Sequence, residues 1–194
     1  MLNTSSRSLR IEISAKKLGI YGGTFDPIHN GHLRVIVELI SRKIVDEIIL
    51  IPAGDPQLRD APKVDGATRL EMCKLAINDL PSGVKEKVLA SDIEVTRSGP
   101  SYAIDTVEAL EGSNELFWIV GSDAYAKIDN WHRSKELQDK VSFIVIDRPG
   151  DDGDGLDIGA LDISATEIRS DSQVNGTSPS VRKYITERKL YASK

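Results

Sequence analysis

Short runs that are apolar almost throughout are what most restrict the fold open to this 194-residue chain. Leu18-Gly19-Ile20-Tyr21, Ile48 to Ile51, Leu116 to Val120 and Val141 to Ile146 lack the polar alternation of a half-exposed strand. Such runs suit a parallel sheet whose two faces are both covered by helices. The segments between them supply the helices. From Gly31, the apolar residues Leu33, Val35, Ile36, Leu39 and Ile40 approximate helical spacing, which predicts a helix capped by Asn30 and reaching about Arg42. With the strands on either side it makes one βαβ unit, whose crossover is almost always right-handed. Thr68 and Glu71 suggest a capping box for a helix through Asn78, Val88 to Val95 reads as a strand, and Tyr102 to Leu110 reads as a helix. Ser178-Pro179 opens a last helix through about Lys189. The alternation predicts an α/β fold: a doubly wound, mostly parallel, Rossmann-like sheet with helices on both faces. The Asp- and Gly-rich stretch Pro149 to Gly159 is a loop, and too little chain follows it for a second core. Residues 18–194 are therefore expected to form a single domain behind a flexible, Ser-rich and basic tail, 1–17.

Composition narrows the function classes. A chain of this length buries about 70% of its unfolded surface and needs no covalent staple. Its single cysteine, Cys73, cannot form an internal disulfide and sits where a helix would place a small core hydrophobe, which suits a reducing compartment. No run of about 18 apolar residues is present, and the first 17 residues lack the apolar stretch of a secretory signal. A soluble, cytoplasmic protein without a membrane partner is expected. The formal charge of −5 argues against a general nucleic-acid binder, although a local phosphate pocket remains compatible with it. A homo-oligomer is equally compatible.

The loop Gly22-Gly23-Thr24-Phe25-Asp26-Pro27-Ile28-His29-Asn30-Gly31-His32 leaves the first strand and enters the first helix, the junction at which open α/β sheets bind ligands. Its glycines let the N–H groups of Thr24 and Phe25 approach a phosphate, and the helix start adds roughly half a positive charge. His29 and His32 can face the same anion. Taken alone, the pair fits surface or capping residues as well, or part of a metal site, though no cysteine cluster supports a metal. A dinucleotide fingerprint is absent after this strand.

The loop resembles the Gly-x-Phe-Asp-Pro-x-His-x-Gly-His motif of the nucleotidyltransferase superfamily. The resemblance implies that Gly23, Thr24 and Phe25 approach ATP, that His29 holds the transferred α-phosphate and that His32 holds the triphosphate. Asp26 and Pro27 shape the turn. Ile163-Ser164-Ala165-Thr166-Glu167-Ile168-Arg169 is similar to the superfamily's triphosphate clamp, with Ala165 replacing its second hydroxyl residue. Ser164, Thr166 and Arg169 are then ATP-binding, and Arg169 joins the histidines in catalysis; on local grounds the segment also fits an ordinary capped helix with an exposed arginine.

Ser98-Gly99-Pro100-Ser101-Tyr102-Ala103-Ile104-Asp105-Thr106, Val120-Gly121-Ser122-Asp123-Ala124 and Asn130-Trp131 resemble the nicotinate-nucleotide adenylyltransferase family. That resemblance runs over residues 18–191. It implies transfer of the adenylyl group of ATP to nicotinic acid mononucleotide in NAD biosynthesis, giving nicotinic acid adenine dinucleotide and pyrophosphate, with Mg²⁺ carried by the ATP phosphates. Gly121 and Asp123 are expected at ATP, with Asp123 on the ribose. Trp131 is expected to stack on the pyridine ring, and the helix start at Ser101 and Tyr102 to offer N–H groups to the nicotinate carboxylate. Arg59 stands where many relatives carry His-Lys and is a phosphate contact in this scheme. Two alternatives stay open: preference for nicotinamide mononucleotide, and a nucleotide-binding regulatory module without turnover.

Overall fold

The computed structural model describes residues 15–57, 61–148, 153–170 and 174–191. Its five-stranded sheet has the order β3-β2-β1-β4-β5, built from β1 (Lys17–Gly23), β2 (Glu47–Pro52), β3 (Val88–Ala90), β4 (Glu115–Gly121) and β5 (Ser142–Ile146). Every pairing among these strands is parallel. The chain builds outward from β1 through β2 to β3, then crosses to β4 and β5 on the other side. The order therefore reverses between β1 and β4, and the C-terminal ends of those two strands flank the crevice in which doubly wound sheets bind ligands.

Successive strand residues point to opposite faces, and each face has its own core. Ile48 and Leu50 of β2, Ile119 of β4 and Ile144 and Ile146 of β5 pack with Val35, Ile36 and Leu39 of α1 (Asn30–Ser41), Met72, Cys73 and Ala76 of α2 (Gly66–Asn78) and Val181 and Ile185 of α8 (Pro179–Glu187). Ile20, Ile51, Trp118 and Val120 turn the other way, toward Ile104 and Val107 of α4 (Ala103–Ala109) and Leu137 of α6 (Ser134–Lys140). This two-sided burial is why the strands carry so little polar sequence. Three shorter helices, α3 (Ser82–Lys85), α5 (Ser122–Tyr125) and α7 (Ala165–Ser170), lie in the connections.

The structure departs from the sequence expectations mainly at element ends. Lys17 belongs to β1 rather than to the tail, while residues 1–14 of the expected tail lie outside the described residues. The N-cap of α1 is His29, in extended conformation, and Asn30 is the first helical residue. Helix α2 begins at Gly66, before Thr68: the Asp65 carboxylate accepts from the Thr68 N–H at 2.7 Å, so the cap is Asp65 and not a Thr68–Glu71 box. The expected strand from Val88 to Val95 stops at Ala90. There Ser91 Oγ accepts from the Ile93 N–H, and the Asp92 carbonyl accepts from both the N–H and the hydroxyl of Thr96. A local turn has outcompeted the ladder.

Close packing reaches the loop end of the sheet. A Cβ added to Gly22 would stand 2.9 Å from Cζ2 of the Trp118 indole, which is itself buried. Gly22→Ala is expected to cost about 1–3 kcal/mol through overpacking. Urea denaturation should report it as a lower midpoint at unchanged slope, and an unchanged midpoint would mean that the indole shifts aside freely.

Candidate active site

The first loop follows Gly23 directly, because β1 ends there and a Cβ on Gly23 would meet the Phe25 ring at 2.9 Å. Phe25 is buried with φ of 49°, and the Asp26–Pro27 peptide bond is cis. Asp26, also buried, carries most of the loop's tertiary bonds. Its Oδ2 accepts from the Lys63 N–H at 2.7 Å and its Oδ1 from the Tyr191 hydroxyl at 2.7 Å. Its carbonyl accepts from Nη1 of Arg169 at 2.6 Å. Burial and the bond to Asp26 push the Tyr191 phenol well above its usual value, which keeps it a donor. The neighbouring Thr24 carbonyl accepts from Nη1 of Arg69 at 2.7 Å.

His29 and His32 meet at the start of α1 with ring centroids 3.7 Å apart and planes 31° apart. The His29 N–H donates to Nδ1 of His32 at 3.1 Å, which assigns the proton of a neutral His32 ring to Nε2, its outer nitrogen. His29 is only 8% exposed, and burial pushes its pKa down to about 4. Near neutral pH it is an uncharged imidazole that can donate or accept. Phe25 packs edge-on against His32, with centroids 5.0 Å apart.

Helix α7 opens with the expected capping box: the Ser164 N–H donates to Glu167 Oε2 at 3.4 Å, and the Glu167 N–H to Ser164 Oγ at 3.2 Å. One turn on, Nη2 of Arg169 donates to Thr166 Oγ1 at 3.1 Å while Nη1 reaches Asp26. A guanidinium has five N–H donors, so these bonds fix its plane and leave others for an anion. At the neighbouring strand end, Gly121 leads into α5, and a Cβ there would stand 2.9 Å from Oδ1 of Asp123. The exposed Asp123 carboxylate pairs with Nη2 of Arg148 at 2.6 Å.

On the side of β2 and α4, Ser101 Oγ accepts from the N–H groups of Gly54 and Asp55 at 2.9 and 3.1 Å, and the Ser101 N–H donates to the Asp55 carbonyl at 2.9 Å. The Ser101 N–H is thus already engaged within the protein. Tyr102 is the N-cap of α4, and its ring stacks on His132 with centroids 4.2 Å apart. The half-buried Trp131 packs edge-on against Trp118 at 6.1 Å. Tyr102 and the Trp131–His132 loop therefore meet, as do the first loop and Arg169. Arg59 lies outside the described residues.

Two buried charged residues escaped sequence inspection. Arg69 is 1% exposed on the face of α2 that also carries Met72, Cys73 and Ala76, and Glu94 is 5% exposed within Ile93-Glu94-Val95. A charge set into an apolar stripe was the available signal for both. Among the described residues, no group of three or more His, Cys, Asp or Glu side chains is placed to hold a metal, and no helix is long and apolar enough to cross a membrane.

Residues 20–171 match the sequence model of the cytidylyltransferase-like family. A protein named "Probable nicotinate-nucleotide adenylyltransferase" from Neisseria meningitidis serogroup C is 33% identical, covering 91% of this chain and 98% of its own length. Another of the same name, from Bacillus pumilus, is 37% identical over 92% of this chain and all of its own. The solved structure of "Plasmodium falciparum nicotinic acid mononucleotide adenylyltransferase complexed with NaAD" superposes with a TM-score of 0.76 at 24% identity, over 91% of this chain and 97% of that one. That likeness is one of fold.

The low His29 pKa links stability to pH. Unfolded His29 binds a proton below about pH 6.5, whereas the folded residue does so only near 4, so the protein without ligand loses stability as pH falls between those values. The loss approaches about 3 kcal/mol at most. His29→Gln should flatten this part of the stability–pH profile, and a wild-type profile that is already flat between pH 6.5 and 4 would rule out the buried neutral imidazole.

Proposed function

Because this chain belongs to the nicotinate-nucleotide adenylyltransferases of the cytidylyltransferase-like family, we propose that it transfers the adenylyl group of ATP to nicotinic acid mononucleotide in NAD biosynthesis. The observation that carries this proposal is the bond from Arg169 to the Asp26 carbonyl. It spans 143 residues and brings a permanently charged guanidinium to the loop that carries the paired histidines at the strand-order reversal.

An oxygen of the mononucleotide phosphate attacks the α-phosphorus of ATP, the bond from that phosphorus to the bridging oxygen breaks, and pyrophosphate leaves. With a second pKa near 6, the attacking phosphate is mostly dianionic at neutral pH and needs no general base. The obstacle is repulsion between two anions, which the site answers with position and positive potential. The N–H groups around Gly23, Thr24 and Phe25 line the triphosphate. His29 binds the α-phosphate as a neutral ring, and His32 donates from Nε2 toward the triphosphate. Arg169, with Ser164 and Thr166, holds the departing pyrophosphate. Gly121 and Asp123 receive the ribose, with Arg148 orienting the Asp123 carboxylate. Mg²⁺, held by the ATP phosphates rather than by protein side chains, would supply further neutralisation of their charge.

On the acceptor side, Trp131 stacks on the pyridine ring. The Tyr102 N–H takes the nicotinate carboxylate, since the Ser101 N–H is committed to Asp55. Arg59 serves the acceptor phosphate. Residues 18–194 act as one catalytic unit, and the reaction belongs in the cytoplasm.

Pyrophosphate release with ATP, Mg²⁺ and a panel of mononucleotides tests the assignment. A charge-assisted bond is worth about 1.5–3 kcal/mol, so kcat/KM should favour the nicotinate over the nicotinamide form by roughly tenfold to a hundredfold. Equal use of the two overturns the acceptor assignment but not adenylyl transfer, and no pyrophosphate with any acceptor returns the chain to a regulatory nucleotide binder. His32→Ala should lower kcat by about 10²–10³, the loss typical of one preorganised donor to developing charge. Near-normal kcat in a folded variant would remove His32 from the catalytic set.

A further inference from the structure

Glu94 lies between β3 and α4, almost wholly buried, and adenylyl transfer as described makes no use of it. Its Oε1 accepts from Thr106 Oγ1 at 2.6 Å, and Thr106 is itself inaccessible within α4. The Ser101 hydroxyl also acts on this carboxyl group, drawing its pKa down against burial. Ser101 Oγ accepts from the N–H groups of Gly54 and Asp55, which uses both its lone pairs and leaves the hydroxyl only a proton to offer. A bridge between Pro56 and Ser101 continues the contact. The backbones are also pressed together: a Cβ on Gly54 would come 2.1 Å from the Glu94 carbonyl oxygen. The loop after β2, the turn holding Glu94 and the start of α4 are thus joined at Glu94 and Ser101.

We propose that Glu94 is a positioning residue for the acceptor mononucleotide: bonded to Thr106 of α4 and with its backbone pressed against Gly54, it holds the 54–56 loop against the start of α4 and so fixes Tyr102. The inference rests on the acceptor site proposed above at Tyr102 and Trp131. Tyr102 directly follows Ser101 and stacks on His132, the neighbour of Trp131, so a displaced Ser101 would disturb both walls of that site. The ATP side has its own main anchor in Asp26 and Arg169, and meets the 54–56 loop through Arg69, which donates to the carbonyls of Thr24 at 2.7 Å and Gly54 at 3.5 Å. Burial holds the Glu94 carboxyl above the usual range, opposed by the two hydroxyl bonds and the charge of Arg97, while Asp105 adds to the rise.

Glu94→Gln keeps the shape and removes the function. The amide is uncharged and has one acceptor oxygen, so it holds the Thr106 hydroxyl more weakly and no longer draws the Ser101 proton. The tests are steady-state kinetics with each substrate varied in turn, and hydrogen exchange of the Gly54 and Asp55 amides. We expect the KM for nicotinic acid mononucleotide to rise roughly tenfold while the KM for ATP stays within about twofold, with faster exchange at both amides. Ser101→Ala cuts the same strap from its other end and should give the same split if the Gln variant does not fold. An unchanged acceptor KM, or equal rises for both substrates, would overturn the positioning role and leave Glu94 as a structural group. A wild-type protein that adenylylates no mononucleotide overturns the proposed function and this inference with it.

Discussion

The carboxylate of Asp26 accepts from the Lys63 backbone and the Tyr191 hydroxyl while the carbonyl of the same residue accepts from Arg169, so segments 37, 165 and 143 residues away converge on one position. A buried carboxylate is costly unless its oxygens are bonded, and here each oxygen has a partner. The consequence is geometric as well as energetic. The loop between β1 and α1 is held from three directions, and the Arg169 guanidinium hangs from the loop's own backbone. Anything that moved Asp26 would move the histidines and Arg169 together.

Arg69 supports the same loop from beneath. Its guanidinium is buried, donates to the carbonyls of Thr24 and Val64, and is held below its ordinary pKa by desolvation, against the attraction of Asp26. A buried arginine still remains charged, so it contributes fixed positive potential under the loop. A formal charge of −5 is therefore compatible with the polyphosphate binding proposed for this chain. The relevant field comes from a few desolvated groups in a crevice, where screening is weak, and not from the whole surface.

The α/β architecture was legible because burial of a parallel sheet on both faces leaves a direct mark on composition, as at Ile48 to Ile51 and Leu116 to Val120. The meeting of His29 and His32 was legible because both lie within one short segment at the start of α1. What escaped was decided by competition among local hydrogen bonds. The run after Val88 has strand composition, but the bonds at Ser91 and Asp92 close a turn first. Asn30 is a good cap by type, yet His29 takes the position because its own N–H can reach the His32 ring. The contacts that depend on distant partners, such as the Asp26–Tyr191 bond and the packing of Glu94 against Gly54, have no mark in local sequence beyond a charge in an apolar setting.

The molecule also divides its labour along the reversal of strand order. The ends of β1 and β4 carry the loop with the histidines and the turn with Asp123, and both serve the nucleoside triphosphate in the proposed reaction. The acceptor wall is assembled from the loop after β2, the start of α4 and the Trp131 loop, with the Ser101 hydroxyl at their junction. The two halves share the sheet and are tied by Arg69, which donates to the Thr24 carbonyl of one and the Gly54 carbonyl of the other. Reaction requires them to agree only in the distance and direction between two phosphates, which the rigid parallel strands between them supply. A fold of this kind can therefore change its acceptor by altering the β2 and α4 edge while the β1 loop and its adenylyl chemistry remain the same.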